Sequence, residues 1–273
     1  MLLQRVITAL ILAPLVILAV WWLPTDKLAL LVGLTVVIGA WEWARLSGIT
    51  QLVGQLLYSL VVALLLVVVT RYLPAAWIFW LIGASALWWL MALLRLTRYR
   101  GEAEMPGFAP LQAVEGFVVL VPAWLSVLEI HRIPEKGPLL LLFLLFLIWG
   151  ADVVAYFAGH RWGKRKLAPK VSPGKTREGV YGAMACALVF GLFLAWWLNG
   201  PIAQAPLILL LCLVTMLMSV VGDLFESLLK RRQGLKDSGA LLPGHGGILD
   251  RIDSLTAAAP VYFVGLLLIG AVQ

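Results

Sequence analysis

The chain has 273 residues, 62% of them hydrophobic, and a formal charge of +7. Charged residues make up 13%, about half the share usual in soluble domains, which excludes a water-soluble globular fold. Its two cysteines, Cys186 and Cys212, both lie in apolar runs, so no disulfide framework is implied.

A membrane-crossing helix needs about 20 apolar residues. Nine runs qualify, at roughly 6–23, 28–46, 52–70, 75–94, 111–130, 138–160, 179–198, 206–229 and 254–272. The first has no small-residue cleavage site after it and reads as a retained span. Glu42 and Glu115 interrupt the second and fifth. Glu42 reads as a partner for Arg45 one turn on, Glu115 and Glu129 lie near no motif, and His131 is given no role. Trp21, Trp22, Trp88, Trp89, Trp196 and Trp197 fall near span ends, as an interfacial aromatic belt would. Pro260 predicts a kink in the last helix. The expected fold is all-α: a polytopic integral membrane protein with about nine transmembrane helices and no repeat or soluble domain. Residues 1–273 form one membrane domain, in which 1–135 read as scaffold and 138–273 as the half that carries chemistry.

Charge orients the spans. Most of the 21 Lys and Arg fall at the N-terminus and in the loops after spans 2, 4, 6 and 8. Positive charge marks the cytoplasmic side. The N-terminus and the polar loops 161–178 and 230–253 are therefore expected in the cytoplasm, with the C-terminus outside.

Three polar sites follow in chain order. Asp152 lies within the sixth span, and an intramembrane carboxylate is costly unless paired or functional. The basic loop after it favours function, while His160 reads as an interfacial residue. In that loop Gly174-Lys175-Thr176 resembles the end of a Walker loop, but position 169 is proline where that motif needs glycine. The better reading is an anion-binding loop: Ser172, Lys175 and Thr176 contact substrate, Thr176 caps the seventh span, and Glu178 favours its positive end. Lys164 to Lys170 read as a basic patch facing anionic lipid.

The third site, Gly222 to Asp253, is the most polar. Asp223, Glu226, Ser227 and Lys230 recur at i, i+3, i+4 and i+7, one face of a helix. Pro243-Gly244-His245-Gly246-Gly247 then breaks regularity and can turn backbone N–H groups toward an anion. Asp250-Arg251-Ile252-Asp253 follows, with Asp253 or Ser254 as the expected cap of the last span. Carboxylates crowded beside cations at a membrane face point to a divalent metal and a polyanion, hence to phosphoryl or nucleotidyl transfer involving a lipid.

The run from Ser227 through Lys230-Arg231, Lys236-Asp237, Gly239, Leu242-Pro243, His245-Gly246-Gly247 and Asp250-Arg251 to Asp253 resembles the signature of the phosphatidate cytidylyltransferases, or CDP-diglyceride synthases. The likeness reaches back to about Trp149 through Ser172-Pro173, Lys175-Thr176 and Glu178-Gly179. It implies transfer of CMP from CTP to phosphatidic acid, giving CDP-diacylglycerol and pyrophosphate, in the inner membrane of a bacterium. It also implies Mg²⁺, leaves room for a second cation such as K⁺, and implies a homodimer; no nucleic acid is involved. On this reading Asp223 and Asp250 ligate the metal, with Ser227 assisting and Asp152 a further candidate. Lys230, Arg231, Lys236 and Arg251 hold phosphates. His245, Gly246 and Gly247 shape the phosphate pocket, and Asp237 and Asp253 orient their neighbours. Asp223, Lys230, Asp250 and Arg251 form the catalytic set. Two alternatives remain open: cytidylyl transfer to another lipid phosphate, and a transporter, which predicts broken helices and midplane polar sites in paired halves.

Overall fold

A computed structural model describes residues 2–99, 101, 107–239, 241 and 246–270. His245 and the last three residues lie outside them. Nine α-helices are present among the described residues: α1 (Leu2–Trp22), α2 (Thr25–Leu46), α3 (Leu52–Tyr72), α4 (Ala75–Arg98), α5 (Pro110–His131), α6 (Gly137–Trp162), α7 (Arg177–Leu198), α8 (Ala205–Arg232) and α9 (Leu249–Leu268). Eight of them, α2 to α9, are long and apolar enough to cross a bilayer, and α1 adds the apolar stretch Leu10–Trp22. The all-α membrane architecture expected from composition is the one observed.

Helix faces show which solvent was meant. On α3, Tyr58, Val62, Leu66 and Val69 are buried, while Leu56, Leu60, Leu64 and Val67 are exposed. Both sets follow the helical period, yet both are apolar, so the outer stripe suits hydrocarbon. The core is built on α5 and on α9, which packs against α2, α4, α5, α6 and α8. Ala257, Ala258 and Ala259 are fully buried; side chains this small let helices approach closely where burial from water supplies no drive. Trp21, Trp22 and Trp196 are exposed, as a belt requires, but Trp89 is not part of one. It is buried edge-on to Trp88 and Phe225, an internal aromatic cluster that its place near a span end disguises. His131 is structural. Its Nε2 faces the Val20 carbonyl at 2.9 Å and its Nδ1 lies 2.9 Å from Thr25 Oγ1, pinning the α1–α2 corner to the end of α5.

The loops after α2, α4, α6 and α8 meet at one end of the bundle, the grouping that the charge pattern demands. Ala109 N–H donates to the Ser47 carbonyl at 2.9 Å. Gln233 exchanges two hydrogen bonds with the Gly107 backbone. Arg231 Nε donates to the Val171 carbonyl at 3.3 Å.

Two boundaries differ from expectation. The loop after α6 contains a short antiparallel hairpin, β1 (Lys166–Ala168) and β2 (Ser172–Thr176), with Lys166 opposite Thr176 and Ala168 opposite Ser172. The last helix begins at Leu249 rather than 254, so Asp250 and Asp253 belong to its first turns. Neither Asp253 nor Ser254 is its cap; Ile248 holds that position. An Asp-Ser pair before an apolar run imitates a cap, and here the helix starts earlier because its first N–H groups find acceptors elsewhere.

Candidate active site

At about 1.5 Å per residue, the 28 residues of α8 span about 42 Å, more than the roughly 30 Å hydrocarbon layer. Its last turns therefore carry polar groups out to the face where the loops meet. The antiparallel register of α8 and α9 is set by close packing: a Cβ on Gly222 would lie 2.4 Å from the Asp253 carbonyl oxygen. Two turns on, Lys230 Nζ lies 2.5 Å from Asp250 Oδ1 and 3.4 Å from Glu226 Oε1. Asp253 comes within electrostatic reach of Asp223 and Glu226. The acids thus form a ladder, Asp223 near the level of Asp253 and Asp250 level with Lys230. Asp223 and Lys230 are about 10 Å apart along α8.

The hairpin folds onto this ladder. Lys175 on β2 places Nζ 2.5 Å from Asp223 Oδ2, with both side chains partly open to solvent. Ser227 Oγ donates to Asp223 Oδ1 at 3.4 Å. Asp152 on α6 lies within electrostatic reach of Lys175, Asp223 and Arg251. Residues from α6, β2, α8 and α9, dispersed over a hundred positions, therefore meet. Thr176 caps α7 as expected, its hydroxyl accepting the Gly179 N–H at 3.1 Å. Glu178 does more than face a helix dipole: it accepts the backbone N–H groups of Lys164 and Arg165, holding the hairpin's entry. Ser172 opens β2, half-buried beside Ala168.

The remaining candidates divide. Lys236 and Asp237 are exposed on the loop and Arg251 is exposed on α9. Arg231 directs Nε to the Val171 carbonyl and Nη1 to the Leu235 carbonyl, so it ties hairpin to loop. Gly246 adopts a φ of +80°, where a side chain would be strained, and a Cβ there would lie 2.7 Å from Asp250 Oδ2. Asp250 is densely bonded: Oδ1 takes Lys230, and Oδ2 accepts Gly247 N–H at 2.8 Å, Ser238 N–H at 3.1 Å and Ser238 Oγ at 2.9 Å. Two further residues escaped the sequence reading, Ser238 and Glu42. Glu42 does not act as a partner for Arg45; it accepts hydrogen bonds from Ser238, Ile248 and Leu249. A lone acid in an otherwise apolar span was its only signal.

Among the described residues no three His, Cys, Asp or Glu side chains form a preformed metal cage. Magnesium needs none, since one or two carboxylates with substrate phosphates usually hold it. Among the described residues Glu226, 2% exposed, has no hydrogen-bond donor on either carboxylate oxygen; Lys230 is its ion-pair partner at 3.4 Å, and it stands beside Asp253. Glu226, Asp250 and Asp253 thus gather around one cation, Lys230, and that excess of acids, below a partly open Asp223, fits a divalent cation.

The sequence profile of the cytidylyltransferase family matches residues 3–269. The chain belongs to the cytidylyltransferase family. Within it, the chain is 42% identical over 266 residues to the phosphatidate cytidylyltransferase of Pseudomonas aeruginosa, covering 96% of each. It is 38% identical over 281 residues to that of Haemophilus influenzae, covering 96% of this chain and 97% of the relative. Over 158 residues it is 42% identical to that of Bacillus subtilis, covering 55% and 57%.

Proposed function

We propose that the protein transfers CMP from CTP to phosphatidic acid, giving CDP-diacylglycerol and pyrophosphate, in a metal-dependent step of phospholipid synthesis in a bacterial inner membrane. The observation that carries this reading is the meeting of Lys175, Asp223, Asp152 and Arg251 at the loop-bearing end of a lipid-facing bundle. Similarity across almost the full length of two phosphatidate cytidylyltransferases supports the choice of substrates.

In the reaction an oxygen of the lipid phosphate attacks the α-phosphorus of CTP. A bond forms between them, and the bond from the α-phosphorus to the oxygen bridging to the β-phosphorus breaks. The electron pair leaves with pyrophosphate. A phosphomonoester with second pKa near 6 is largely ionised at pH 7, so no strong general base is required. The difficulty is repulsion between two anions, and fixed positive charge answers it. Lys175, Lys236 and Arg251 hold phosphates at the open face. Asp223 and Asp253 would hold Mg²⁺, with Asp152 close by; Asp250 reaches an ion only by yielding Lys230. When bound, the cation neutralises phosphate oxygens and aligns them. The loop-bearing end is the cytoplasmic one, where CTP is found, and the phosphatidic acid headgroup lies at the same level.

Purified protein in phospholipid vesicles should convert labelled CTP and phosphatidic acid to CDP-diacylglycerol with magnesium and lose that activity in EDTA. Product formation at full rate in EDTA refutes the metal. Turnover of another lipid phosphate with none of phosphatidic acid refutes the substrate.

A further inference from the structure

Glu42 belongs to α2, far in sequence from the polar loops, and its side chain is buried. Its Oε1 accepts the Ile248 N–H at 3.0 Å, and its Oε2 accepts the Leu249 N–H at 2.7 Å and Ser238 Oγ at 3.0 Å. Among the described residues no ion pair engages it. A carboxylate withdrawn from water without a counter-cation is costly unless hydrogen bonds compensate it, and here three do.

The geometry explains what those bonds achieve. The first N–H groups of a helix have no partner within it, and Ser, Thr, Asp or Asn at the cap usually supplies one. The cap of α9 is Ile248, whose side chain has no acceptor. Glu42 supplies it from another helix, and its charge faces the positive end of α9. Ser238 Oγ lies within hydrogen-bond distance of Glu42 and also of Asp250 Oδ2, so its one proton is shared by both carboxylates. A rigid chain of contacts therefore runs from α2 through Ser238 to Asp250, and from Asp250 to Lys230. The fit is close: a Cβ on Gly247 would lie 2.4 Å from Glu42 Oε2.

We propose that Glu42 is a positioning residue for the transfer reaction: by capping α9 from α2 and sharing Ser238 with Asp250, it fixes the loop and the acids of α9 in register with α8. This rests on the reading of the site given above. A plain structural cap would affect stability alone; a positioning residue sets the rate at which correctly bound substrates react.

The test uses full-length protein in nanodiscs. Glu42→Gln keeps the shape but turns an amide N–H₂ toward one set of donors. Amide hydrogen exchange, which needs no substrate, should accelerate at least about tenfold at Ile248 and Leu249, whose N–H groups Glu42 accepts, and stay unchanged in α3 and α7. The kcat should fall about 10- to 100-fold, the scale of a misplaced reacting group, with KM for CTP changed less than about threefold. Glu42→Asp, which keeps the charge, should recover part of kcat, and Ser238→Ala should lower it several-fold. Unchanged exchange at Ile248 and Leu249 overturns the cap. Accelerated exchange with unaltered kcat overturns the positioning role. Should Glu42→Gln fail to fold, Ser238→Ala decides: an unaltered kcat overturns the proposal. A wild-type protein inactive toward CTP and phosphatidic acid sinks the proposed function instead, and the exchange result then judges the cap alone.

Discussion

Lys230 is a buried cation, 9% exposed at its side chain, and Asp250 opposite it is 8% exposed. Lys175 and Asp223 make a pair of the same length with 26% and 31% exposure. The difference decides what each acid does for stability. Removing one member of a buried pair leaves an uncompensated charge and costs about 3–5 kcal/mol, whereas a pair open to solvent is worth about 0–1 kcal/mol. Asp223→Asn should therefore leave thermal unfolding nearly unchanged while turnover falls by orders of magnitude. Asp250→Asn should lower turnover and destabilise the protein together, and adding Lys230→Met should not recover the stability, because the buried Glu226 then loses its cation as well. Thermal unfolding in detergent beside a CTP turnover assay separates the two. Asp223→Asn with full activity would remove that carboxylate from the reaction.

Among the elements, α8 and α9 decide the site because their register aligns the acids. That register depends on Gly222, against which the Asp253 carbonyl packs. Gly222→Ala alters no charge and touches no polar side chain, yet it must push the two backbones apart. Turnover should fall at least tenfold, and the protein should still insert; wild-type turnover would show that the spacing is not needed. Much of this was legible in the sequence. The 3.6-residue period placed Asp223, Ser227 and Lys230 on one face, and Thr176 signalled its own cap. The start of α9 was misread, and the reason is physical. Local rules look for an acceptor within the residues beside the helix, but Ile248 has none and the acceptor comes from α2. The pairing of Glu42 with Ile248 and Leu249 joins residues about 200 positions apart, a separation no periodic pattern encodes. The same holds for Lys175 and Asp223, each conspicuous in its own motif, whose ion pair only the folded chain reveals.

Over the whole molecule, charge and connectivity agree. The four loops that gather most of the lysines and arginines are those that meet at one end of the bundle. Each crossing reverses direction, so an odd number of crossings leaves the two termini on opposite sides. If α1 to α8 all cross, the loops after α2, α4, α6 and α8 share a face with the N-terminus, and a crossing by α9 then puts the C-terminus on the other face. On the proposed orientation this basic face meets the cytoplasmic leaflet, whose anionic lipids attract cations near the surface at about 1 kcal/mol each. A reporter active only outside the cytoplasm, fused after Gln273, should be active, and a cytoplasmic reporter at the same position silent. Cysteine labelling by an impermeant reagent adds a second reading: a cysteine placed at Lys166 should react only in opened vesicles, and one placed at Ile202 in intact cells. The reverse pattern at both positions would put the acids on the side that lacks nucleotide, and cytidylyl transfer from cytoplasmic CTP could not then occur there.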